Sequence, residues 1–255
     1  MTREIHESIE IAAPADRVFR CLTDPRELML WWTTPDYPSL HWEVALERGG
    51  KWLSKWRGPR GEEFALGGEI VDVEPPVLLE YTWWDERYPN LPLTRVRYDI
   101  EPTDSGCRVR IRHYGFDDVR VDFSDYNGGW PHLVWVLRAH AAHGVRFHAN
   151  RDVAIEVPDL AEARRFYVDG LGFRLCAESA SHLEIDAGML RLWIKAAKHA
   201  TSFMPSLDVH DAARARAVVL QAGGRVTSGH DSPEGFVFED PFGFAIDVMV
   251  RAPGG

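Results

Sequence analysis

The chain has 255 residues, enough for one large domain or two ordinary ones. At 45% apolar and 27% charged its composition is that of a globular protein, and no run of ~18 apolar residues offers a membrane span. The net charge of −10 argues against nucleic acid or an anionic membrane as partner. Neither half hides a basic domain: residues 1–150 carry 18 Lys and Arg against 24 Asp and Glu, and residues 151–255 carry 11 against 15. The segment from Met1 to Glu10 lacks the apolar core of a secretory signal. Cys21, Cys107 and Cys176 are odd in number and widely spaced, which predicts reduced thiols in a cytoplasmic protein.

Taken in order, Ile5 to Ile11 predicts an opening strand. Pro14 to Thr23 predicts a short helix with Val18, Phe19 and Leu22 on its apolar face, ended at Asp24-Pro25. Arg26 to Trp32 is a second short helix. From His41 the apolar period becomes two, and strands are predicted at 41–47, 51–57, 64–73, 78–84, 94–101 and 107–114, separated by Gly, Pro and Asn turns. A long helix closes the series. Gly128 and Gly129 precede Pro131, which suits a first helical turn. Trp130, Leu133, Val134, Leu137, Ala141 and Gly144 then recur at helical steps, with Gly144 as the stop. One strand, two helices, six strands and a long helix predict an α+β domain, a curved antiparallel sheet gripping a helix.

Nine of the ten tryptophans precede residue 150. They can line a ligand cavity or fill a wide gap between sheet and helix, and both readings stay open. The residues chosen as cavity lining are Trp42, Trp83, Tyr98, His113 and Trp130, since they lie on strands and a helix that should face one another. His113 is the titratable group of that set, pointing inward or into solvent. His140, His143 and His148 suggest a metal patch by spacing, but no Cys or carboxylate keeps ligand spacing with them, and a polar helix face is the preferred reading.

Ile11-Ala-Ala-Pro-Ala-Asp-Arg-Val-Phe, Trp31-Trp32, Gly49-Gly-Lys-Trp, Ile70-Val-Asp-Val-Glu-Pro-Pro and Gly128-Gly-Trp resemble the SRPBCC (START-like) superfamily, and within it the heat-shock ATPase activator homologue branch. The resemblance covers residues 5–145. It implies a helix-grip fold with one hydrophobic cavity, in a superfamily of lipid carriers, polyketide cyclases and drug-sequestering proteins. A fold of this kind implies a pocket rather than a reaction.

A different pattern begins at Arg151. Strands are predicted at 152–157, 173–178, 181–185 and 190–195, with a helix from Leu160 to Leu171 capped by Asp159. The order then recurs: strand 204–209, helix 211–221, strands 225–227, 235–239 and 245–250. Two βαβββ copies of about fifty residues form an internal repeat. Val157-Pro-Asp-Leu-Ala-Glu-Ala-Arg-Arg-Phe-Tyr, Gly170-Leu-Gly-Phe and Phe238-Glu-Asp-Pro-Phe-Gly-Phe-Ala-Ile-Asp resemble the vicinal oxygen chelate superfamily of glyoxalases, bleomycin-resistance proteins and extradiol dioxygenases.

That resemblance implies a divalent metal held at four inward strand positions, which fall by register on Asp152, Trp193, Met204 and Asp247. Trp cannot ligate and Met is a soft ligand, so no metal and no cofactor are expected. Trp193, Met204 and Asp247 are instead candidate ligand-binding residues. No phosphate loop, serine elbow or Cys/His dyad is visible.

The sequence thus predicts a START-like helix-grip domain over 1–148 and a vicinal-oxygen-chelate domain over 151–255. The preferred function is sequestration or carriage of a hydrophobic, aromatic small molecule. A metal-dependent lyase, isomerase or dioxygenase in the second domain, a cyclase-like activity in the first, and a module acting on a chaperone stay open. No catalytic residue is assigned. The expected assembly is a homodimer through the second domain, where Phe236, Phe238, Phe242 and Phe244 crowd one hairpin.

Overall fold

A computed structural model describes residues 3–34, 36–116, 123–145, 147–198 and 203–251. The chain divides into two compact units, residues 1–146 and 147–251. No described helix is long and apolar enough to cross a membrane.

In the first unit, β1 (Arg3–Ile11) leads into α1 (Ala15–Thr23) and α2 (Pro25–Trp31). The Asp24 carboxylate accepts the Arg26 N–H at 2.8 Å, and Pro25 fills the first helical position, where no N–H is needed. β2 (Ser39–Val44), β3 (Lys51–Arg57), β4 (Glu63–Glu74), β5 (Leu78–Asp85), β6 (Thr94–Thr103) and β7 (Gly106–Phe116) follow. They form one antiparallel sheet in the order β1-β7-β6-β5-β4-β3-β2. At Gly68 a side chain would strike the Thr82 carbonyl, so glycine lets β4 meet β5 while Trp52 Nε1 donates to that same oxygen at 3.1 Å.

α3 (Phe123–His143) closes the unit. It begins earlier than the sequence suggests, so Pro131 lies inside it rather than at its first turn. Pro131 offers no N–H to the Asn127 carbonyl, a site where a helix is weakened. Trp130, Val134, Leu137 and Ala141 form its buried stripe, packed into one core with Val96, Tyr98, Val109 and Ile111 of the sheet. His140 is buried, against the expectation of a polar helix face: its Nε2 lies 2.6 Å from Glu27 of α2 and 3.4 Å from Arg17 of α1.

The second unit carries the repeat as read. β8 (His148–Val157), α4 (Leu160–Arg164), β9 (Arg174–Glu178), β10 (His182–Asp186) and β11 (Arg191–Ala196) form the first copy. β12 (Met204–Val209), α5 (Ala212–Gln221), β13 (Arg225–Ser228), β14 (Gly235–Glu239) and β15 (Ala245–Val250) form the second. Each helix has the same cap: Asp159 accepts from the Glu162 N–H and Asp211 from the Arg214 N–H, both at 2.9 Å. α4 continues as a π-helical turn over Arg165–Gly170, where the sequence predicts α-helix.

The eight strands run β13-β14-β15-β12-β8-β11-β10-β9. β11 lies parallel to β8 and β15 parallel to β12, while β12 pairs antiparallel with β8 and joins the two copies. The turn between β14 and β15 is built by Asp240, whose carboxylate accepts the Phe242 and Phe244 N–H groups at 2.9 Å each, with Gly243 at a positive φ. Phe236 and Phe238 are buried, so the expected four-Phe patch reduces to Phe242 and Phe244, which are 85% and 69% exposed.

Candidate functional sites in the two units

A cleft of about 480 Å³ opens in the first unit. That is within the size range of small-molecule sites. Trp32 and Tyr37 reach it from the segment after α2, Trp56 from β3, Phe64 and Leu66 from β4, Trp83 from β5, and Tyr126, Trp130 and Leu133 from α3. The rings pack on one another: Trp32 lies 6.0 Å from Trp83 and 6.2 Å from Trp130 between centroids.

The indole N–H groups are turned into the protein. Trp56 donates to Ser54 Oγ at 2.8 Å, Trp83 to Tyr126 Oη at 3.2 Å and Trp130 to His113 Nδ1 at 3.0 Å. The cleft therefore meets ring faces. Trp32 differs: among the described residues its N–H has no acceptor.

Behind Trp83 lies a polar network. The buried Asp85 carboxylate accepts from Tyr126 Oη at 2.6 Å and takes Arg87 side-on, Nε at 3.0 Å and Nη2 at 2.7 Å. Burial, then the neighbouring Asp85, pushes the Tyr126 hydroxyl well above the usual tyrosine range, so it stays a donor. Arg87 lines the cleft.

Of the five residues singled out in this unit by sequence, Trp83 and Trp130 line the cleft. Trp42 borders only a void of about 20 Å³ deeper in the core. Tyr98 is fully buried, its Oη 3.3 Å from that of Tyr81. His113 points inward but lies behind Trp130 and is fully buried. An indole only donates, so His113 Nδ1 accepts and its ring proton sits on Nε2, 2.8 Å from Thr94 Oγ1. Sequence reasoning passed over Trp32, Trp56, Phe64, Asp85 and Arg87. Asp85 and Arg87 stand two apart at a strand end followed by Tyr88-Pro89-Asn90, a signal readable only once the surrounding rings are placed.

The second unit holds a cavity of about 500 Å³ on its sheet. It is lined by Asp152, Glu156, Trp193, Lys195, Asp247 and Met249, with His182, Ser206 and Arg251. Asp152, Trp193 and Asp247 thus come together as expected from register, whereas Met204 does not line it. The pairing of β12 with β8 shifts register between Pro205 and Leu207, and Ser206 is the β12 residue on the cavity wall. Ser206 Oγ donates to Asp247 Oδ2 at 3.1 Å.

The donors here do not suit a divalent metal. Asp152 is already held by two guanidinium groups: Arg191 Nε and Nη2 at 2.6 Å each and Arg251 Nη2 at 3.0 Å. Trp193 supplies no lone pair, and the Arg191 guanidinium carbon lies 5.5 Å from its ring centroid. Among the described residues, Cys21, Glu27 and His140 of the first unit bring three ligand atoms within 4.8 Å of one another. Arg17 pairs there with Glu27, and burial pushes the Cys21 thiol up to about 12, so this set too disfavours a cation.

A helix packed on a seven-stranded antiparallel sheet, with an aromatic cleft beside it, is the arrangement of a START-like domain. Residues 12–142, just over half of the chain, match the model of the Activator of Hsp90 ATPase homolog 1-like family, and the chain belongs to that family. Residues 152–249 match the glyoxalase-like domain, so the chain joins a START-like domain to a vicinal-oxygen-chelate domain. A comparison with curated proteins finds no match. Solved structures similar to part of the chain include a protein from Nitrosomonas europaea, 23% identical over 53% of this chain and 91% of that one, with a TM-score of 0.47. A protein from Arthrobacter aurescens is 22% identical over 54% and 85%, at 0.48. The AHSA1-like protein from Aeromonas hydrophila is 19% identical over 56% and 94%, at 0.47.

Proposed function

We propose that the protein is a small-molecule binding protein whose first unit takes up a hydrophobic aromatic compound, to sequester or carry it in the cytoplasm. The observation that carries this reading is the cleft of about 480 Å³ walled by Trp32, Trp56, Phe64, Trp83 and Trp130. Ring faces, with the N–H groups of Trp56, Trp83 and Trp130 tied inward, favour a flat apolar ligand. A bicyclic arene burying roughly 250 Å² would gain about 6 kcal/mol before ordering costs, which sets micromolar to millimolar titrations.

The test is intrinsic Trp fluorescence and melting temperature across a panel of aromatic compounds, in the wild type and in Trp130→Ala. Saturable quenching weakened by the substitution supports the reading. A panel that leaves both readouts unchanged ends it. The metal-enzyme alternative for the second unit finds no support in a cavity where Asp152 is paired with arginines.

A further inference from the structure

We propose that the first unit's cleft selects aromatic carboxylates, with Arg87 as the residue that recognises the carboxylate. This rests on the reading of that cleft as the ligand site. Three observations lead to it. Among the described residues lining the cleft, Arg87 is the one Asp, Glu, Lys or Arg. Among the described residues no carboxylate on the wall competes with an incoming anion, and the overall charge of −10 gives no general attraction for one.

The guanidinium is also fixed before any ligand arrives. Its Nε and Nη2 grip buried Asp85, and its carbon lies 4.4 Å from the centroid of the Phe64 ring. Among the described residues its Nη1 makes no hydrogen bond. One edge and one face of the fork are thus used, and the remaining N–H groups are left for a ligand. A guanidinium held in this way spends little entropy on binding and matches a planar carboxylate.

The third observation is Trp32. It lines the same cleft, and among the described residues its N–H lacks an acceptor while the other cleft indoles are satisfied internally. A flat ring between the Trp faces, carrying a carboxylate toward Arg87, uses both kinds of wall.

The experiment compares 2-naphthoate with 2-naphthamide, a neutral analogue of the same shape, by Trp fluorescence and calorimetry. Wild type is expected to bind the acid roughly tenfold or more tightly than the amide, with the acid weakened by added salt. Arg87→Gln alone leaves Asp85 buried without its cation, so the double variant D85N/R87Q is the informative one. In it the preference for the acid should vanish. Arg87→Lys, which keeps the charge but not the fork, should retain only part of it. Equal binding of acid and amide by wild type overturns this proposal and leaves the cleft as an apolar site. A preference that survives in the double variant also overturns it. Binding of neither ligand overturns the cleft reading itself. Should the double variant fail to fold, the wild-type comparison and R87K decide.

Discussion

Asp152 gives the sharpest test of the second unit, because its two possible occupations lead to opposite results. Its side chain is 7% exposed and accepts three N–H bonds from two guanidinium groups. Asp152→Ala leaves Arg191 and Arg251 facing each other across an empty corner. Breaking a buried pair in this way costs about 3–5 kcal/mol. Here the Arg191 and Arg251 side chains are 30% and 43% exposed and can turn partly to water. The expected loss is therefore at the low end, about 3 kcal/mol. In a unit of this size that lowers the melting temperature by roughly 10–15 °C.

Calorimetry reads the total effect, and hydrogen-exchange mass spectrometry on peptides from β8, β11 and β12 assigns it to the second unit. Asp152→Asn keeps one acceptor and should lose less. Wild type in a chelator should melt unchanged. If D152A leaves melting and exchange as they were, the arginine argument is wrong; if the chelator destabilises wild type but not D152A, the carboxylate serves an ion instead.

The helix junction of the first unit predicts a pH effect. Burial pushes the pKa of Glu27 up, but hydrogen bonds from Arg17 and His140 outweigh it and hold Glu27 below the usual carboxylate range. The stabilisation is therefore present above that range and lost as pH falls through the lowered value, so Glu27→Gln should flatten the loss of first-unit stability in acid; an unchanged acid limb would refute this. Metal analysis of purified protein should find no stoichiometric zinc, nickel, iron or manganese, and one equivalent lost on Asp247→Ala would refute that. The expected dimer, with Phe242 and Phe244 as contacts, should fall to ~29 kDa by light scattering when both become Ser. A wild-type particle already at that mass rules out a stable dimer.

Much of the fold was legible because its signals are local. Asp159 sits one residue before an apolar periodic run and caps it, and Asp211, where the second predicted helix begins, caps that one. Asp240-Pro241-Phe242-Gly243 carries its own turn chemistry. The repeat follows from two such sets in the same order. What failed was also local in cause. Phe123 and Tyr126 extend the stripe of Trp130 upstream, but Gly128, Gly129 and Pro131 read as a helix start, so the sequence places the start of α3 at the proline and not at Phe123. The π-helical turn after Arg164 leaves no mark in a pattern that suits α-helix equally well.

The sites were harder, for a geometric reason. Alternation along a strand tells which residues face inward, and Trp42, Tyr98 and His113 do face inward. It does not tell how far along the sheet the core stops and the cleft begins. Trp83 and Trp130 lie at that border, while Trp42 and Tyr98 lie behind it. In the second unit Met204 and Ser206 stand two apart on β12, and it is Ser206, paired with Asp247, that reaches the cavity wall. The residues on which recognition turns in this reading come from neither pattern. Arg87 follows the end of a strand and owes its position to a carboxylate two residues away, a ring on β4 and a hydroxyl on α3. Each partner is ordinary in sequence. Only the folded sheet and its helix bring them to one wall, where the proposed task of a fixed cation among aromatic faces is to choose the ligand.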